Sequence, residues 1–275
     1  MTDVAWHSSP DRLTLLPGEV HVWRIVLETT RELEPELRDA LSADERARAN
    51  RLVFDGHRAR FVATRGWLRS LLGRYLGIDA RDVSFTYGSN GKPMLAPAMA
   101  WRLEFSVSHA EDLALVALSL EQPVGVDAEP VRTIPELAEL AELVFAPTER
   151  AAWEALPAAE RNIAFFETWT RKEAVLKGLG DGLSRAPREL EVGWRHDADV
   201  WRDPVAPHTQ WRLTSFCPLA GNAACVAVQT VGLTAAPNTT FFDITLASRR
   251  DAPVVRATKP ASVTAAQGVR APGGP

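Results

Sequence analysis

The sequence has few cysteines, no long apolar run and no overall excess of positive charge. Cys217 and Cys225 are its only cysteines, and no Cys/His cluster has the spacing of a zinc site. Nothing therefore indicates a disulfide framework, and we interpret the two thiols as core residues.

No run of about 18 apolar residues occurs, so we expect no membrane span. The first ten residues lack a basic segment followed by an apolar run, so we expect no signal peptide and assign the chain by default to the reducing cytoplasm. A net charge of −4 and a pI of about 5.9 argue against a bulk polyanion binder. Without a recognisable RNA- or DNA-binding motif, we expect no nucleic-acid partner.

The composition is that of a globular protein, with 275 residues, 46% apolar and 24% charged. This length allows one large domain or two modest ones. The order of patterns favours an α+β fold over a doubly wound sheet. We predict helices after a capping box at Ser42 and Glu45 and over 57–76, 135–144, 147–156 and 163–177. The predicted strands are 19–27, 103–108, 113–118, 122–129, 190–194, 210–216 and 223–230.

Two carboxylates share one face of the predicted strand 122–129. Side chains in a strand repeat every two residues, so Gly125, Asp127 and Glu129 point the same way. Neighbouring carboxylates at the end of an apolar strand repel each other. This arrangement needs either full solvation or a cation.

The predicted helix 163–177 carries Glu173 and Lys177 one turn apart. The common interpretation of such a pair is a solvated surface contact. The alternative is that Glu173 meets Asp127 and Glu129, because aromatic residues crowd this helix. Three carboxylates from two elements, without His or Cys, favour Mg²⁺ over zinc.

Positive charge is concentrated between Asp44 and Arg81, where nine arginines face four acids. This segment is either a solvated helix face or an anion site, since arginine favours bidentate phosphate contacts. The turn at 87–93 is rich in Gly, Asn and Pro, and is either a hairpin connection or a loop that brings backbone amides close to a ligand. No P-loop motif is present.

Four motifs, in order, resemble those of the 4′-phosphopantetheinyl transferases. They are Gly-Lys-Pro at 91–93, Phe-Ser-Val-Ser-His at 105–109, Gly-Val-Asp-Ala-Glu at 125–129, and Trp-Thr-Arg-Lys-Glu-Ala-Val-Leu-Lys at 169–177. The resemblance covers roughly residues 41–192. The chain length is similar to that of the single-chain, surfactin-synthetase-activating branch.

The resemblance implies a pseudo-dimer of two similar α+β halves and a monomeric protein. We place the N-terminal half, with the coenzyme A contacts, at 1–121 and the C-terminal half, with the metal site and catalytic helix, at 122–246. Residues 247–275 lack periodicity, and we expect a disordered tail there.

The implied activity is transfer of the phosphopantetheine arm of coenzyme A to a serine of an apo acyl or peptidyl carrier protein, which releases adenosine 3′,5′-bisphosphate. Asp127, Glu129 and Glu173 would hold Mg²⁺ with the pyrophosphate. Glu173 or a metal-bound water would accept the serine proton, with Glu149 ranked second as a base. Lys177 would contact the pyrophosphate at the reacting centre. Such holo-[acyl-carrier-protein] synthase activity serves fatty-acid or secondary metabolism.

The resemblance also implies contacts to coenzyme A. Ser108 and His109 would contact its phosphates. Gly91, Lys92 and Pro93 would lie along the adenine.

Arg48, together with Arg65, would face the 3′-phosphate, while Trp169 would be a packing residue. The chain departs from the family at Ala110, where relatives often have serine, so one hydroxyl contact is lost.

Two other functions remain open on the residues. A non-catalytic coenzyme A or carrier-protein binding module would not need the three carboxylates and Lys177. An unrelated Mg²⁺-dependent phosphohydrolase would release phosphate or phosphopantetheine without a carrier. The residues do not identify which carrier is modified.

Overall fold

The computed structural model describes residues 3–99, 102–180, 182–193, 200–204, 206, 208–230 and 237–244. The helices in these ranges are α1 (Glu34–Asp39), α2 (Ala43–Arg51), α3 (Asp55–Leu76), α4 (Leu137–Val144), α5 (Pro147–Glu154) and α6 (Ala158–Leu179). The strands are β1 (Trp6–Ser8), β2 (Glu19–Val26), β3 (Phe85–Tyr87), β4 (Pro93–Leu95), β5 (Leu103–Ala110), β6 (Leu113–Leu120), β7 (Val124–Pro130), β8 (Val200–Arg202), β9 (Gln210–Phe216), β10 (Asn222–Thr230) and β11 (Asn238–Asp243).

Local signals set the bounds of the N-terminal helices. The predicted capping box opens α2: the Glu45 amide donates to Ser42 Oγ at 3.4 Å, and the Ser42 amide donates to Glu45 Oε2 at 3.0 Å. Helix α3 ends at Gly77, whose φ of 66° is the left-handed conformation that favours glycine at a C-terminal cap. Both boundaries confirm the sequence prediction.

The strands form two larger sheets and one hairpin. The first sheet has the order β1-β11-β2-β6-β5, and β11 runs parallel to both of its neighbours. The second has the order β7-β10-β9-β8 and is antiparallel, while β3 and β4 form the hairpin. With six helices in the described residues, this architecture confirms the predicted α+β class.

The apolar side chains pack in four layers. Helix α3 covers one face of the first sheet, where Leu68 and Leu72 share a core with Trp23. The other face of that sheet packs on the second sheet, as Val22 and Val226 share a core between them. Helix α6 covers the outer face of the second sheet. None of the helices in the described ranges has both the length and the apolar character needed to cross a bilayer.

Serine side chains join the two sheets where β5 runs beside β7. Ser106 Oγ accepts a hydrogen bond from the Val126 amide at 3.1 Å, and Ser108 Oγ accepts one from the Ala128 amide at 3.3 Å. These bonds satisfy amides on the edge of β7, which would otherwise be buried without a partner. The junction places Ser108 beside the acidic end of β7.

The predicted strand 190–194 is wrong over its described residues, because 190–193 have no regular structure. Side chains take the backbone groups that a strand would pair. Lys172 donates to the Leu190 carbonyl, the Val192 amide donates to Glu149 Oε1 at 2.9 Å, and Arg171 donates to the Val192 carbonyl at 2.9 Å. Residue 194 and the expected tail at 247–275 lie outside the described residues.

Candidate active site

Gly125 allows α6 to lie directly on β7. A Cβ atom at this position would be 1.8 Å from the Ala174 carbonyl oxygen and 2.5 Å from the Gly178 nitrogen. Only glycine permits such a close approach between a strand and a helix backbone. Glu173 and Lys177 flank this contact on α6, so they are held against the strand that carries Asp127.

The centre of the site is a hydrogen-bonded cluster of three side chains. Lys177 Nζ lies 2.6 Å from Asp127 Oδ1 and donates to Ser108 Oγ at 3.0 Å. Ser108 Oγ in turn donates to Asp127 Oδ1 at 2.9 Å. Asp127 is buried, with 3% of its surface exposed, while Lys177 reaches the solvent. The cluster thus brings together residues from β5, β7 and α6.

Glu129 and Glu173 lie beside this cluster with their charges only partly balanced. Burial and, second, the charge of Asp127 raise the pKa of Glu129. The Trp169 indole opposes this rise by donating a hydrogen bond to Glu129 Oε1 at 3.4 Å. Burial and the charge of Asp127 raise the pKa of Glu173 to about 7, with Lys177 opposing and Glu129 adding to the rise. This half-buried setting favours the alternative interpretation, in which Glu173 meets Asp127 and Glu129, over a solvated surface pair.

His109 and Arg60 extend the site toward α3. Partial burial lowers the pKa of His109, and the positive charges of Lys177 and Arg60 lower it further. Arg60 was not a predicted site residue. It belonged to the basic segment, but no motif distinguished it from its neighbours. Its guanidinium donates to Asp112 Oδ1 at 3.1 Å. Arg60 is also among the residues that line a separate cavity of about 380 Å³ beside the start of α3, to which none of the predicted site residues contributes.

Comparisons with known proteins give the family. A sequence profile described as "4'-phosphopantetheinyl transferase superfamily" matches residues 123–228, and one described as "4'-phosphopantetheinyl transferase, N-terminal" matches 29–121. The 4'-phosphopantetheinyl transferase HetI of Nostoc sp. (strain PCC 7120) is 40% identical over 235 residues, which cover 84% of this chain and 97% of that protein. The chain belongs to the 4′-phosphopantetheinyl transferase superfamily.

Two further relatives carry the same activity in their names. A putative 4'-phosphopantetheinyl transferase of Synechocystis sp. (strain PCC 6803) is 37% identical over 156 residues, which cover 57% of this chain and 63% of that protein. The 4'-phosphopantetheinyl transferase Sfp of Bacillus subtilis (strain 168) is 29% identical over 133 residues, which cover 48% and 57%. This chain is therefore an enzyme of the transferase class, and coenzyme A is the substrate of its family.

The carboxylates of the transferase fit a hard divalent cation by their chemistry. Asp127 Oδ2 and Glu173 Oε1 are buried oxygens without a hydrogen-bond partner among the described residues. Other buried atoms of the described residues, such as Thr64 Oγ1 and Trp67 Nε1, also lack a partner, but these two are carboxylate oxygens on facing elements, which are the groups that a hard cation binds. The side chains do not form a closed metal cage: no described group of three or more His, Cys, Asp or Glu residues has metal-binding geometry.

The two predicted phosphate-binding arginines differ in their surroundings. The guanidinium of Arg48 is exposed and lies over the Phe61 ring, 5.3 Å from its centroid, and no carboxylate of the described residues pairs with it. Arg65 donates to Glu45 Oε1 through Nε at 2.9 Å and Nη2 at 2.5 Å, and to Tyr87 Oη at 3.1 Å. The positive charge of Arg65 is thus already paired with Glu45 inside the transferase, whereas that of Arg48 is available to bind an anion.

The Gly-Lys-Pro turn of the transferase lies against the end of α6. Gly91 has a φ of 77°, which allows the tight turn between β3 and β4. Lys92 Nζ donates to the Gly178 carbonyl at 3.1 Å, and Pro93 begins β4. The turn therefore brings the predicted adenine contacts close to the helix that carries Lys177.

Glu149 is surrounded by partners inside the core. It is 2% exposed, and its Oε2 lies 2.6 Å from Lys172 Nζ and accepts from the Ala146 amide at 2.9 Å. Its Oε1 accepts from the Val192 amide at 2.9 Å. These contacts describe a structural ion pair and give no support to Glu149 as a catalytic base.

Proposed function

We propose that this transferase moves the 4′-phosphopantetheine arm of coenzyme A to a serine of an apo acyl or peptidyl carrier protein and releases adenosine 3′,5′-bisphosphate. The observation that carries the proposal is the cluster at the junction of β5, β7 and α6. There, Ser108, Asp127 and Lys177 are hydrogen-bonded, next to carboxylates of raised pKa. Family membership supplies the reaction class.

In the proposed reaction, the serine oxygen of the carrier forms a bond to the phosphorus next to the pantetheine arm. The bond from that phosphorus to the bridging pyrophosphate oxygen breaks, and the electron pair leaves with adenosine 3′,5′-bisphosphate. Glu173 accepts the serine proton. In the metal-free protein, burial and the charge of Asp127 raise the pKa of Glu173 to about 7, and a bound Mg²⁺ would lower it and keep Glu173 an ionised proton acceptor at neutral pH.

Asp127, Glu129 and Glu173 would hold Mg²⁺, which when bound would balance charge on the pyrophosphate. The support is the pair of unpartnered oxygens of Asp127 and Glu173. Lys177 provides a positive charge next to Asp127, where it can stabilise negative charge on the leaving phosphate. Preorganised charge of this kind needs no rearrangement as the bond breaks.

The coenzyme A contacts follow the arrangement around this cluster. We assign Ser108 and His109 to the phosphates, Arg48 to the 3′-phosphate, and the backbone of Gly91 and Pro93 to the adenine. Arg65 has a secondary role in this scheme, because Glu45 already neutralises it. The carrier serine then enters from the side of Glu173.

We also propose that the chain is a monomer of the single-chain, surfactin-synthetase-activating type. Two profiles of the family match consecutive parts of one chain, at 29–121 and 123–228, which supports halves at 1–121 and 122–246. Strand β11 crosses between these halves, since it comes late in the chain and pairs with β2.

The decisive experiment is the intact mass of an apo carrier protein after incubation with the enzyme, coenzyme A and Mg²⁺. We expect a gain of one phosphopantetheine unit, lost with a chelator and lost when the carrier serine is replaced by alanine. Asp127→Asn should abolish the gain, while the matched exposed change Asp55→Asn should keep it. Coenzyme A binding without transfer to fatty-acid, polyketide or peptide carriers would overturn the proposal in favour of a binding module.

A further inference from the structure

Two side chains of the β3–β4 turn hold the C-terminal end of α6. Lys92 Nζ donates to the Gly178 carbonyl at 3.1 Å, and Asn90 Nδ2 donates to the Gly180 carbonyl at 3.1 Å. The last carbonyls of a helix have no partner within the helix and carry its partial negative charge. An ammonium group at this end therefore both satisfies a carbonyl and complements the helix dipole.

The use of lysine in this chain points to the same helix. The sequence has only four lysines among its 31 basic residues, so arginine supplies most of the positive charge. Three of the four lysines lie in the part of the chain that the structure describes, and each of these three either belongs to α6 or contacts it. Lys172 and Lys177 belong to it, and Lys92 binds its end. An ammonium is a compact donor that can point at one carbonyl, whereas a guanidinium presents a wide fork.

The side chain of Lys92 is withdrawn from solvent into this contact. Burial lowers the pKa of Lys92, with Glu104 opposing that change. The stem of Lys92 also packs along the helix end, since its Cδ lies 3.8 Å from the place of a Cβ at Gly180. The ammonium is therefore directed at α6 and not at the open side of the turn.

We propose that Lys92 is a positioning residue, which fixes the end of α6 and thereby the location of Lys177. The proposal rests on the proposed function and assigns to the Lys92 side chain a role other than contact with the adenine. Gly178, whose carbonyl Lys92 holds, directly follows Lys177, whose ammonium lies 2.6 Å from Asp127. A displacement of about 1 Å at a reacting group can cost about 100-fold in rate.

The test compares Lys92→Met, which keeps the stem and removes the donor, with Lys92→Arg, which restores a charge. We expect Lys92→Met to lower kcat for carrier modification about 10- to 100-fold and to change KM for coenzyme A less than about threefold. Lys92→Arg should recover only part of the loss, because it restores the charge but presents a wide fork where lysine points one ammonium at one carbonyl. A raised KM with kcat retained would overturn the proposal, because it would indicate direct contact with coenzyme A.

Hydrogen exchange provides a readout that does not depend on turnover. Amides in residues 173–180 should exchange faster in Lys92→Met than in the wild type, while those of α3 stay unchanged. Unchanged exchange at 173–180 would overturn the proposal even if activity fell. If the wild type modified no carrier, the proposed function would fail, and this comparison would still decide the role of Lys92. Should Lys92→Met not fold, Asn90→Ala, which removes the hydrogen bond to the Gly180 carbonyl, should show the same local change.

Discussion

Replacing Gly125 by alanine should move Lys177 on α6 away from Asp127 on β7. The added Cβ would lie 1.8 Å from the Ala174 carbonyl oxygen, whereas real Cβ contacts essentially never fall below 3.0 Å. Helix α6 must therefore move away from β7 by roughly 1.2 Å or more, because the obstructing atom is backbone and cannot rotate aside. The Lys177 to Asp127 contact, now 2.6 Å, would lengthen by a similar amount.

Two consequences can be measured separately. Overpacking at a tight backbone contact costs about 1–3 kcal/mol, so the melting temperature should fall by several degrees in a chain of this size. Misplacement of a reacting group by about 1 Å costs about 100-fold in rate. Gly125→Ala should therefore remain folded well below its melting temperature and yet modify carrier protein about 100-fold more slowly.

The matched control is Gly56→Ala in the first turn of α3. A Cβ atom there meets nothing within 4 Å, and the backbone does not have a positive φ. Alanine should stabilise this helix by about 0.5–1 kcal/mol and leave the rate unchanged. A wild-type rate for Gly125→Ala, measured by carrier mass against time, would refute the reasoning that close approach of α6 and β7 sets the site.

Three further predictions concern ion pairs. Lys172→Met should lower the free energy of unfolding, measured in urea, by about 3–5 kcal/mol, because it leaves Glu149 buried without its cation. The double variant Lys172→Met, Glu149→Gln should lose clearly less of this free energy. Equal losses in the two variants would contradict the assignment of Lys172 and Glu149 as a buried ion pair. Burial raises the pKa of Glu45, but its contacts with Arg65, Ser42 and Arg69 outweigh burial and lower that pKa from 4.5. The Glu45 carboxylate therefore contributes its full stabilisation above pH 4.5. That contribution is lost as the pH falls through the lowered pKa. Glu45→Gln should flatten that part of the stability profile, and an unchanged profile would count against it. Arg48→Gln should raise KM for coenzyme A more than Arg65→Gln does, since Arg65 is already paired; the reverse order in steady-state kinetics would disprove the ranking.

Elements with local signals could be predicted from the sequence. Helix α2 has its capping box, α3 its terminal glycine, and strand β9 occupies the predicted residues 210–216. The missed strand β11 has no such signal, because its partners in β1 and β2 lie more than 200 residues earlier in the chain. Parallel pairing over that separation depends on tertiary packing, which periodicity does not reveal.

Those features of the candidate site that depend on the pattern within one strand or one helix could be predicted from the sequence. Alternation in β7 placed Asp127 and Glu129 on one face, and helical spacing placed Glu173 near Lys177. Which cation meets which carboxylate was not predictable. Arg65 looked available in the sequence because its partner Glu45 lies 20 residues away on another helix. The sequence reveals a charge, whereas only the fold reveals its neighbour.

The buried carboxylates of this chain differ in whether all of their oxygens have a partner. Glu45 is matched by arginine, Glu149 by Lys172, and Asp203 by a bidentate contact from Arg185 at 3.0 and 3.1 Å. Among the described residues, the buried carboxylate oxygens without a hydrogen-bond partner belong to Asp127 and Glu173. Leaving such oxygens unpaired costs stability, and a fold that neutralises Glu45, Glu149 and Asp203 has the means to avoid that cost. We therefore propose that a ligand completes the pairing at the junction of β7 and α6 during the reaction.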